Sequence, residues 1–249
     1  MYHLIKQRLW IELSGAACKK FHLHADLSGL SHPLTLIERL DMKCHGLIHV
    51  GANLGQEFDS YRRADLAYVV YIEPIPEIFT ALKERVSVDP RHHAIQALCT
   101  DRSGEEYEFN VASNAGESSS IFALGNHSEK YPDIEYKSKI KLRSTTLDDV
   151  IFGANMLSSE KLDCLVMDVQ GAEMKVIQGA HRTLSRCRYV FTEISEGGLY
   201  AGDSPYEEII AALKPYGFVL RSLDLNQQGW GNAFLVKADL GDADRRFPL

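Results

Sequence analysis

Short apolar runs alternate with longer segments of helical spacing along most of the chain, and this alternation restricts the fold more than any other feature. Runs rich in β-branched and aromatic residues predict strands at 47–50, 68–72, 93–98, 162–167 and 189–194. Segments with apolar residues at helical spacing follow most of them, at 56–64, 74–86, 172–184 and 206–213. Strands joined by helices run parallel, because the crossover returns the chain in the same direction. The pattern predicts an α/β fold in which helices cover a parallel sheet.

Three regions depart from this alternation. Strands predicted at 218–223 and 233–237 flank the turn-forming sequence NQQGWGN, which indicates an antiparallel hairpin. A turn at 101–104 leads into the alternating sequence EEYEFNV, which predicts a hairpin or an added edge strand. Residues 112–136 are rich in Ser, Asn, Gly and charge without a clear period, so we expect a lid or loop that closes over a ligand.

Length and composition restrict the classes of protein that this chain represents. The 249 residues suit one hydrophobic core, so we predict a domain at 46–249 and a helical segment at 1–45 that packs on it. Charged residues interrupt the apolar positions near the N-terminus, which indicates an amphipathic helix and not a targeting segment. A net charge of −7 without a dense basic patch argues against nucleic acid as a partner.

The cysteines and the apolar runs bear on the compartment. The five cysteines include no CxxC pair, which is typical of reduced thiols in a cytoplasmic protein. No apolar run approaches the ~18 residues that a membrane span requires, so we expect no integral membrane association.

The sequence IHVGANLGQEF, residues 48–58, is the sharpest local feature. A predicted strand meets Gly51 and Gly55 where a helix begins. Such a turn leaves a concave backbone, and glycine lets a ligand approach it closely because it lacks Cβ. A purely structural turn explains the same two residues equally well.

Glu73 ends the second predicted strand, 22 residues after Gly51. An acid at this place accepts hydrogen bonds from both hydroxyls of a bound ribose. A structural interpretation also stands, because a charge before Pro74 suits the start of a helix. The loop lacks the GxGxxG arrangement that seats a pyrophosphate, and the chain contains no P-loop sequence. These features favour a nucleoside without a pyrophosphate, such as S-adenosylmethionine.

The sequence VMDVQGAEMKVIQGA, residues 166–180, places further polar side chains near the same edge of the sheet. Asp168 ends the fourth predicted strand, and Glu193 of FTEIS lies at the end of the fifth. Ligands bind outside the carboxyl ends of parallel strands, so we expect Asp168, Gln170 and Glu193 to converge. Glu173, one turn into the next helix, is equally well explained as a capping residue.

Seven blocks in order resemble the FkbM-type methyltransferases, a family named for an O-methyltransferase of macrolide biosynthesis. They lie between about 46 and 234: HVGANLGQ, YIEPIPEIFTALK, TDRSGEEYEFNV, ESSSI, STTLDDV, MDVQGAEMKVIQGA and FTEISEGGLYAGDSPYEEIIAALKPYGF. The resemblance implies a Rossmann-like class I methyltransferase fold, whose central seven-stranded sheet is mostly parallel, with helices on both faces and an antiparallel C-terminal hairpin. It also implies S-adenosylmethionine as the methyl donor.

The resemblance implies roles for the residues around the glycine loop. Gly51, Asn53 and Gly55 surround the amino-acid and sugar parts of the cofactor in the family. Glu73 matches the acid that binds the ribose hydroxyls. His49 stands where this fold often has an acid, two positions before the loop, so its contact to the cofactor differs in kind.

The remaining implied contacts lie later in the chain. Thr100 and Asp101 follow the third predicted strand and match the region that usually meets the adenine. Asp168 matches a position near the amino group of the cofactor. Gln170 replaces a common Glu, a change that bears on substrate recognition.

Methyl transfer from a sulfonium is an in-line displacement, so positioning supplies much of the rate. A hydroxyl acceptor must also lose its proton, and Glu193 or Asp168 is better placed as the base than any histidine. We expect His127 and Tyr200 to contribute from the lid or a loop. The histidines lack HxxxH and HExxH spacing, and Asp168 and Glu193 lack a fuller ligand set, so we expect no metal.

The predicted function is S-adenosylmethionine-dependent O-methylation of a hydroxyl on a small molecule, sugar or natural product. A NAD-type Rossmann oxidoreductase is one alternative, although the chain shows neither a third glycine nor a YxxxK pair. A non-catalytic ligand-binding protein on the same fold is the other. The expected partner is a small hydroxyl-bearing acceptor, and the sequence does not specify an oligomeric state.

Overall fold

The computed structural model describes residues 32–153 and 161–238, and a seven-stranded sheet lies at its centre. A second sheet has three strands. The strands in the described residues are β1 Gly46–Val50, β2 Tyr68–Glu73, β3 His92–Gln96, β4 Leu98–Cys99, β5 Glu106–Ala112, β6 Tyr136–Thr145, β7 Cys164–Met167, β8 Tyr189–Ser195, β9 Phe218–Leu225 and β10 Trp230–Lys237.

The main sheet has the strand order β3-β2-β1-β7-β8-β10-β9. Neighbouring strands from β3 to β8 pair in parallel, whereas β10 runs antiparallel to both β8 and β9. β1 lies inside the sheet, where Ile48 stands opposite Val70 of β2 and Leu165 of β7. This topology confirms the predicted mostly parallel seven-stranded sheet with an antiparallel C-terminal hairpin.

Helices cover both faces, because successive side chains of each strand point to opposite sides of the sheet. They are α1 Pro33–Arg39, α2 Phe58–Arg63, α3 Pro76–Val86, α4 His127–Lys130, α5 Leu147–Phe152, α6 Glu173–Gln178, α7 His181–Arg186 and α8 Tyr206–Leu213. Side chains of α1 to α3 share one buried cluster with Leu47 and Val69, and those of α5 to α8 share another with Ile48 and Val70. Each of these four strand side chains is fully buried and contributes about 1.5–3 kcal/mol relative to exposure.

Two predicted elements are divided in the structure. The strand predicted at 93–98 ends at Gln96, and Leu98 pairs instead with Ser144 of β6 in the second sheet. The helix predicted at 172–184 is two helices, α6 and α7, that separate at Gly179. A Cβ at Gly179 would lie 2.1 Å from the carbonyl oxygen of Thr100, so two distant parts of the chain cross there. The spacing of apolar residues in the sequence gives no sign of such a crossing.

β6 was not predicted from the sequence. Its alternate residues are exposed and mostly charged, so the run YKSKIKLRST lacks the apolar character that marks a strand. The predicted strand EEYEFNV pairs antiparallel with β6, from Glu106 opposite Arg143 to Ala112 opposite Tyr136. The expected hairpin or added edge is therefore part of a separate small sheet. Thr146 caps the following helix, because its hydroxyl accepts from the backbone N–H of Asp149 at 3.0 Å.

The N-terminal region is described only from residue 32. The amphipathic helix predicted around residues 4–13 lies outside the described residues. α1 buries Leu36 and Ile37 in the cluster that contains Tyr61 and Leu47. The boundary between 1–45 and 46–249 stays a prediction. In the two described stretches, no helix is long and apolar enough to cross a membrane.

We predict that Gly51→Ala destabilises the fold more than Gly104→Ala. Both glycines have a positive φ, +82° and +90°, which costs an alanine about 1–2 kcal/mol. A Cβ at Gly51 would lie 1.8 Å from the carbonyl oxygen of Asp168, whereas one at Gly104 meets nothing within 4 Å. The overpacking adds a further ~1–3 kcal/mol at Gly51 only.

Urea unfolding of the two variants measures this difference. Gly104→Ala is the matched control, because it carries the same backbone strain without the clash. Equal losses in the free energy of unfolding would contradict the prediction. They would show that the loop at Gly51 moves away from the Asp168 carbonyl without loss of stability.

Candidate active site

A cleft of about 420 Å³ opens at the carboxyl ends of β1, β2, β7 and β8. Its size is that of a small-molecule site. One wall comes from the residues that end or follow these strands, including Gly51, Glu73, Asp168 and Glu193. The opposite wall comes from nine residues of the predicted lid: Asn114, Gly116, Glu117, Ser118, Ser119, Ile121, His127, Tyr131 and Ile134.

The glycine loop forms the floor of the cleft where β1 ends. The backbone N–H groups of Gly51 and Ala52 both donate to the carbonyl of Ile72, at 2.9 and 3.1 Å, which draws the loop against β2. Asn53 has a left-handed backbone with φ of +45°, a conformation that Asn tolerates better than most residues. Its N–H donates to Oε2 of Glu73 at 3.0 Å. The loop and the acid predicted from the sequence are thus in direct contact.

Glu73 is buried with a defined orientation. Only 4% of the residue is exposed, and Oε1 accepts from the N–H of Ile75 at 2.8 Å. Burial raises the pKa of Glu73 to about 7, and the N–H donors of Ile75 and Asn53 oppose this shift. Each carboxylate oxygen has a second lone pair. Because Glu73 lines the cleft, it has acceptor capacity left for a ligand there.

Asp168, Gln170 and Glu193 meet on the far side of the cleft, as the sequence predicts. Nε2 of Gln170 donates to Oδ1 of Asp168 at 2.5 Å and to Oε2 of Glu193 at 2.8 Å. Burial raises the pKa of Glu193, and the neighbouring charge of Asp168 raises it further. Burial also raises the pKa of Asp168. The two acids therefore share one buried, acidic environment that favours the protonated form of each.

Glu173 lies behind this pair and does not line the main cleft. Its Oε1 accepts from the N–H of Val169 at 3.0 Å, so it ties the start of α6 to the end of β7. Burial raises the pKa of Glu173 to about 7. It shares a second, water-sized cavity with Glu193. Glu173 lies in the first turn of α6 but does not cap it, because the N-cap is Ala172 and no side chain caps that helix.

His49 lines the cleft as a neutral imidazole. The residue is 5% exposed, and its Nδ1 lies 3.3 Å from the hydroxyl of Tyr61. Burial lowers the pKa of His49 to about 4, although the charge of Asp168 acts in the opposite direction. A contact from this position to a ligand is therefore a neutral hydrogen bond and not an ion pair.

Thr100 and Asp101 do not line the cleft. The Thr100 hydroxyl donates to the carbonyl of Arg102 at 3.0 Å, and Asp101 pairs with Nζ of Lys175 at 2.9 Å. The residues just before them, Ala97 to Cys99, line the cleft instead. Their side chains present an apolar surface there.

The predicted lid is attached to the site at several points. Nδ2 of Asn53 donates to the carbonyl of Ala115 at 3.2 Å, and the Ser120 hydroxyl donates to the carbonyl of Gln170 at 2.7 Å. An isolated bridge joins Leu124 to Tyr200. The segment 112–136 therefore forms an ordered wall of the cleft.

An aromatic group lies at one end of the cleft, and only its members His127 and Tyr200 were predicted from the sequence. Trp230 of β10 donates from Nε1 to the hydroxyl of Tyr131 at 2.5 Å. His127 packs its ring 5.0 Å from that of Tyr131 and 5.4 Å from that of Tyr200. Trp230 lies in NQQGWGN, and a tryptophan within a turn sequence is the one signal that could have pointed to this end of the cleft. Among the described residues, no three His, Cys, Asp or Glu side chains are grouped to hold a metal ion.

Comparison with known proteins finds one family domain and one curated relative. The methyltransferase FkbM domain matches residues 49–220. The 2-O-methyltransferase NoeI of Sinorhizobium fredii (strain NBRC 101917 / NGR234) is 29% identical over 182 residues, which are 70% of this chain and 72% of that protein.

Solved structures with a similar fold include two methyltransferases. Methyltransferase FkbM of Methylobacillus flagellatus KT has a TM-score of 0.48 and 14% identity, and the match covers 78% of this chain but 43% of that one. Magnesium protoporphyrin IX methyltransferase of Synechocystis PCC 6803 with bound SAH has a TM-score of 0.47 and 7% identity, with 82% and 79% covered. This chain thus spans less than half the length of the Methylobacillus protein.

The FkbM domain match begins at His49, before the glycine loop, and runs past α8 into β9. It includes Glu73, Asp168 and Glu193, the acids that the fold brings to the cleft. Since the match covers well over half of the sequence, this chain belongs to the FkbM methyltransferase family.

Proposed function

We propose that this chain transfers a methyl group from S-adenosylmethionine to a hydroxyl oxygen of a small molecule, such as a sugar or another natural product. The observation that carries the proposal is one cleft with two acidic ends. Glu73, held against the glycine loop, lies at one end, and the Asp168–Glu193 pair lies at the other. Family membership favours methyl transfer over the oxidoreductase alternative.

The cofactor end is formed by the glycine loop and its neighbours. Gly51 and Asn53 line the floor of the cleft, and the second lone pairs of Glu73 suit the two ribose hydroxyls. Gly55 does not line the cleft; a Cβ there would lie 2.7 Å from Leu82 of α3, so this glycine lets the loop pack against that helix. Asp168 accepts from the ammonium group, and His49 adds a neutral contact. Ala97 to Cys99 would hold the adenine, with Thr100 and Asp101 supporting that turn from behind.

Bound S-adenosylmethionine would supply an electrophilic methyl group on a positively charged sulfur, and the sulfur would keep the electron pair of the sulfur–carbon bond. Glu193 accepts the hydroxyl proton as the new oxygen–carbon bond forms. Asp168 stays ionised beside it and stabilises the positive charge of the donor. The lid and the aromatic group around Trp230 exclude water and hold the acceptor near the transferred carbon.

Oxygen as the acceptor atom has two supports. The curated relative is named a 2-O-methyltransferase. The carboxyl pair supplies a base, which a hydroxyl needs and a neutral amine nitrogen does not.

Cytoplasmic location is supported by the described cysteines, which are all free thiols: Cys44, Cys99, Cys164 and Cys187.

Calorimetric titration with S-adenosylmethionine, S-adenosylhomocysteine and NAD tests the cofactor. We expect the two sulfur nucleosides to bind and NAD to fail. Glu73→Ala weakens binding by about 1–3 kcal/mol, the scale for a polar group left unpaired. Glu106→Ala, on the exposed β5 edge, is the control and leaves affinity unchanged. Preferential binding of NAD would overturn the proposal.

The affinity for S-adenosylhomocysteine rises with pH through the titration of Glu73. Its pKa is about 7 without ligand, and ribose hydroxyls donate to the ionised form. Binding is therefore about tenfold weaker at about pH 6 than at about pH 8. Glu73→Gln removes this part of the pH dependence, whereas any contribution from Glu173 persists. A wild-type affinity that is flat over this range contradicts the assignment.

Glu193→Gln separates cofactor binding from catalysis. We expect the variant to bind S-adenosylhomocysteine normally and to lose about 10²-fold or more in kcat on a hydroxyl acceptor found by screening sugars and natural products. Glu196→Gln, an exposed residue just beyond β8, serves as the matched control. Unchanged kcat in Glu193→Gln rules out this base. Cofactor binding without transfer to any acceptor would favour the non-catalytic alternative.

A further inference from the structure

The side chain of Gln170 makes three hydrogen bonds at the acidic end of the cleft. Its amide nitrogen donates to Asp168 at 2.5 Å and to Glu193 at 2.8 Å, and its amide oxygen accepts from the Tyr200 hydroxyl at 2.5 Å. These contacts join β7, β8 and the loop that carries Tyr200. Gln170 therefore contacts both members of the carboxyl pair directly.

The orientation of the amide follows from its partners. An amide nitrogen has two hydrogens to donate, and the two carboxylates use both of them. The reverse orientation would place the amide oxygen against two acceptors and its nitrogen against a hydroxyl. The two carboxylate acceptors therefore select the first arrangement, and the Tyr200 hydroxyl holds it by donating to the amide oxygen.

The backbone of Gln170 is held as firmly as its side chain. It has a left-handed conformation with φ of +54°, and its carbonyl accepts from the Ser120 hydroxyl at 2.7 Å. The next residue, Gly171, has φ of +93°, and a Cβ there would lie 3.0–3.1 Å from side-chain atoms of Asp203 and Tyr200. A non-glycine residue at positive φ that persists only through such contacts often lies at a functional site.

We propose that Gln170 is a positioning residue that gives each carboxyl of the Asp168–Glu193 pair one amide hydrogen, so that Asp168 stays ionised and Glu193 takes the proton of the acceptor. The inference rests on the proposed function for that proton transfer, but the arrangement itself exists without a ligand. Gln170 touches neither reacting atom in this role. It acts by fixing two groups that would otherwise repel each other.

Glutamate at this position cannot make the same contacts. A protonated carboxyl has one hydrogen and serves one partner, and an ionised carboxyl has none. A third acid here also adds negative charge beside Asp168 and Glu193. Their other charged or titratable neighbours are His49 on β1, Glu57 before α2 and Glu173 on α6.

Carbon-13 NMR titration of labelled Asp and Glu carboxyls tests the proposal without an acceptor. The signals of the pair are assigned by their loss in Asp168→Asn and Glu193→Gln. In Gln170→Met, which has similar volume and no donor, we expect the titration midpoint of Asp168 to rise by about one pKa unit. In Gln170→Glu, both members of the pair rise by at least about that much.

Two further variants separate positioning from structure. Tyr200→Phe keeps the amide but frees its orientation, so the midpoint of Asp168 rises by less than in Gln170→Met. Gln178→Glu makes the same charge change at an exposed position of α6 and leaves both midpoints where they are. If Gln170→Met fails to fold, the isosteric Gln170→Glu carries the test.

Midpoints in Gln170→Met and Gln170→Glu that equal those of the wild type would overturn the role of Gln170. This result is independent of cofactor binding, which the wild-type titration with S-adenosylhomocysteine reports separately. Once screening has found an acceptor, kcat can be measured as a function of pH. The acidic limb of that profile moves to higher pH in both Gln170 variants. A uniform loss of kcat at every pH, with unshifted midpoints, would instead mark a purely structural role.

Discussion

Parallel pairing of β1 with both β2 and β7 is the constraint on which the site depends. It brings the carboxyl ends of three strands to one edge, so that Gly51, Glu73 and Asp168 become neighbours although they are far apart in sequence. The crossing is tight, because Gly51 passes against the Asp168 carbonyl where no Cβ fits. The glycine loop and Asp168, which follows β7, are therefore positioned by the same contact.

The cleft combines carboxyl groups with a low dielectric, and each group is stabilised by donors that the fold supplies. Backbone N–H groups of Asn53 and Ile75 hold Glu73, and the amide of Gln170 holds Asp168 and Glu193. Burial raises the pKa of every one of these acids. Burial thus favours the protonated form of each acid, a shift that exposed carboxylates do not show.

Much of the fold followed from local pattern. The strands from β1 to β3, β7 and β8 lie close to their predicted positions, and α8 matches its prediction from Tyr206 to Leu213. The predictions were wrong where a long-range contact overrides the local pattern. Leu98 joins β6 and leaves β3, and the helix after β7 breaks where Gly179 meets Thr100. Most of β6 was not predicted, because charged residues alternate with weakly apolar ones along it.

The sequence by itself determined the parallel sheet, the glycine loop and the acid Glu73, because periodicity and a loop–acid spacing of 22 residues are local properties of the chain. Only the tertiary structure decided how the far side of the cleft is built. Gln170 meets Tyr200 across 30 residues, and Tyr131 meets Trp230 across 99. Such contacts depend on strand order and on the path of the 112–136 wall, and hydrogen-bond partners at that separation leave no periodic mark in a sequence.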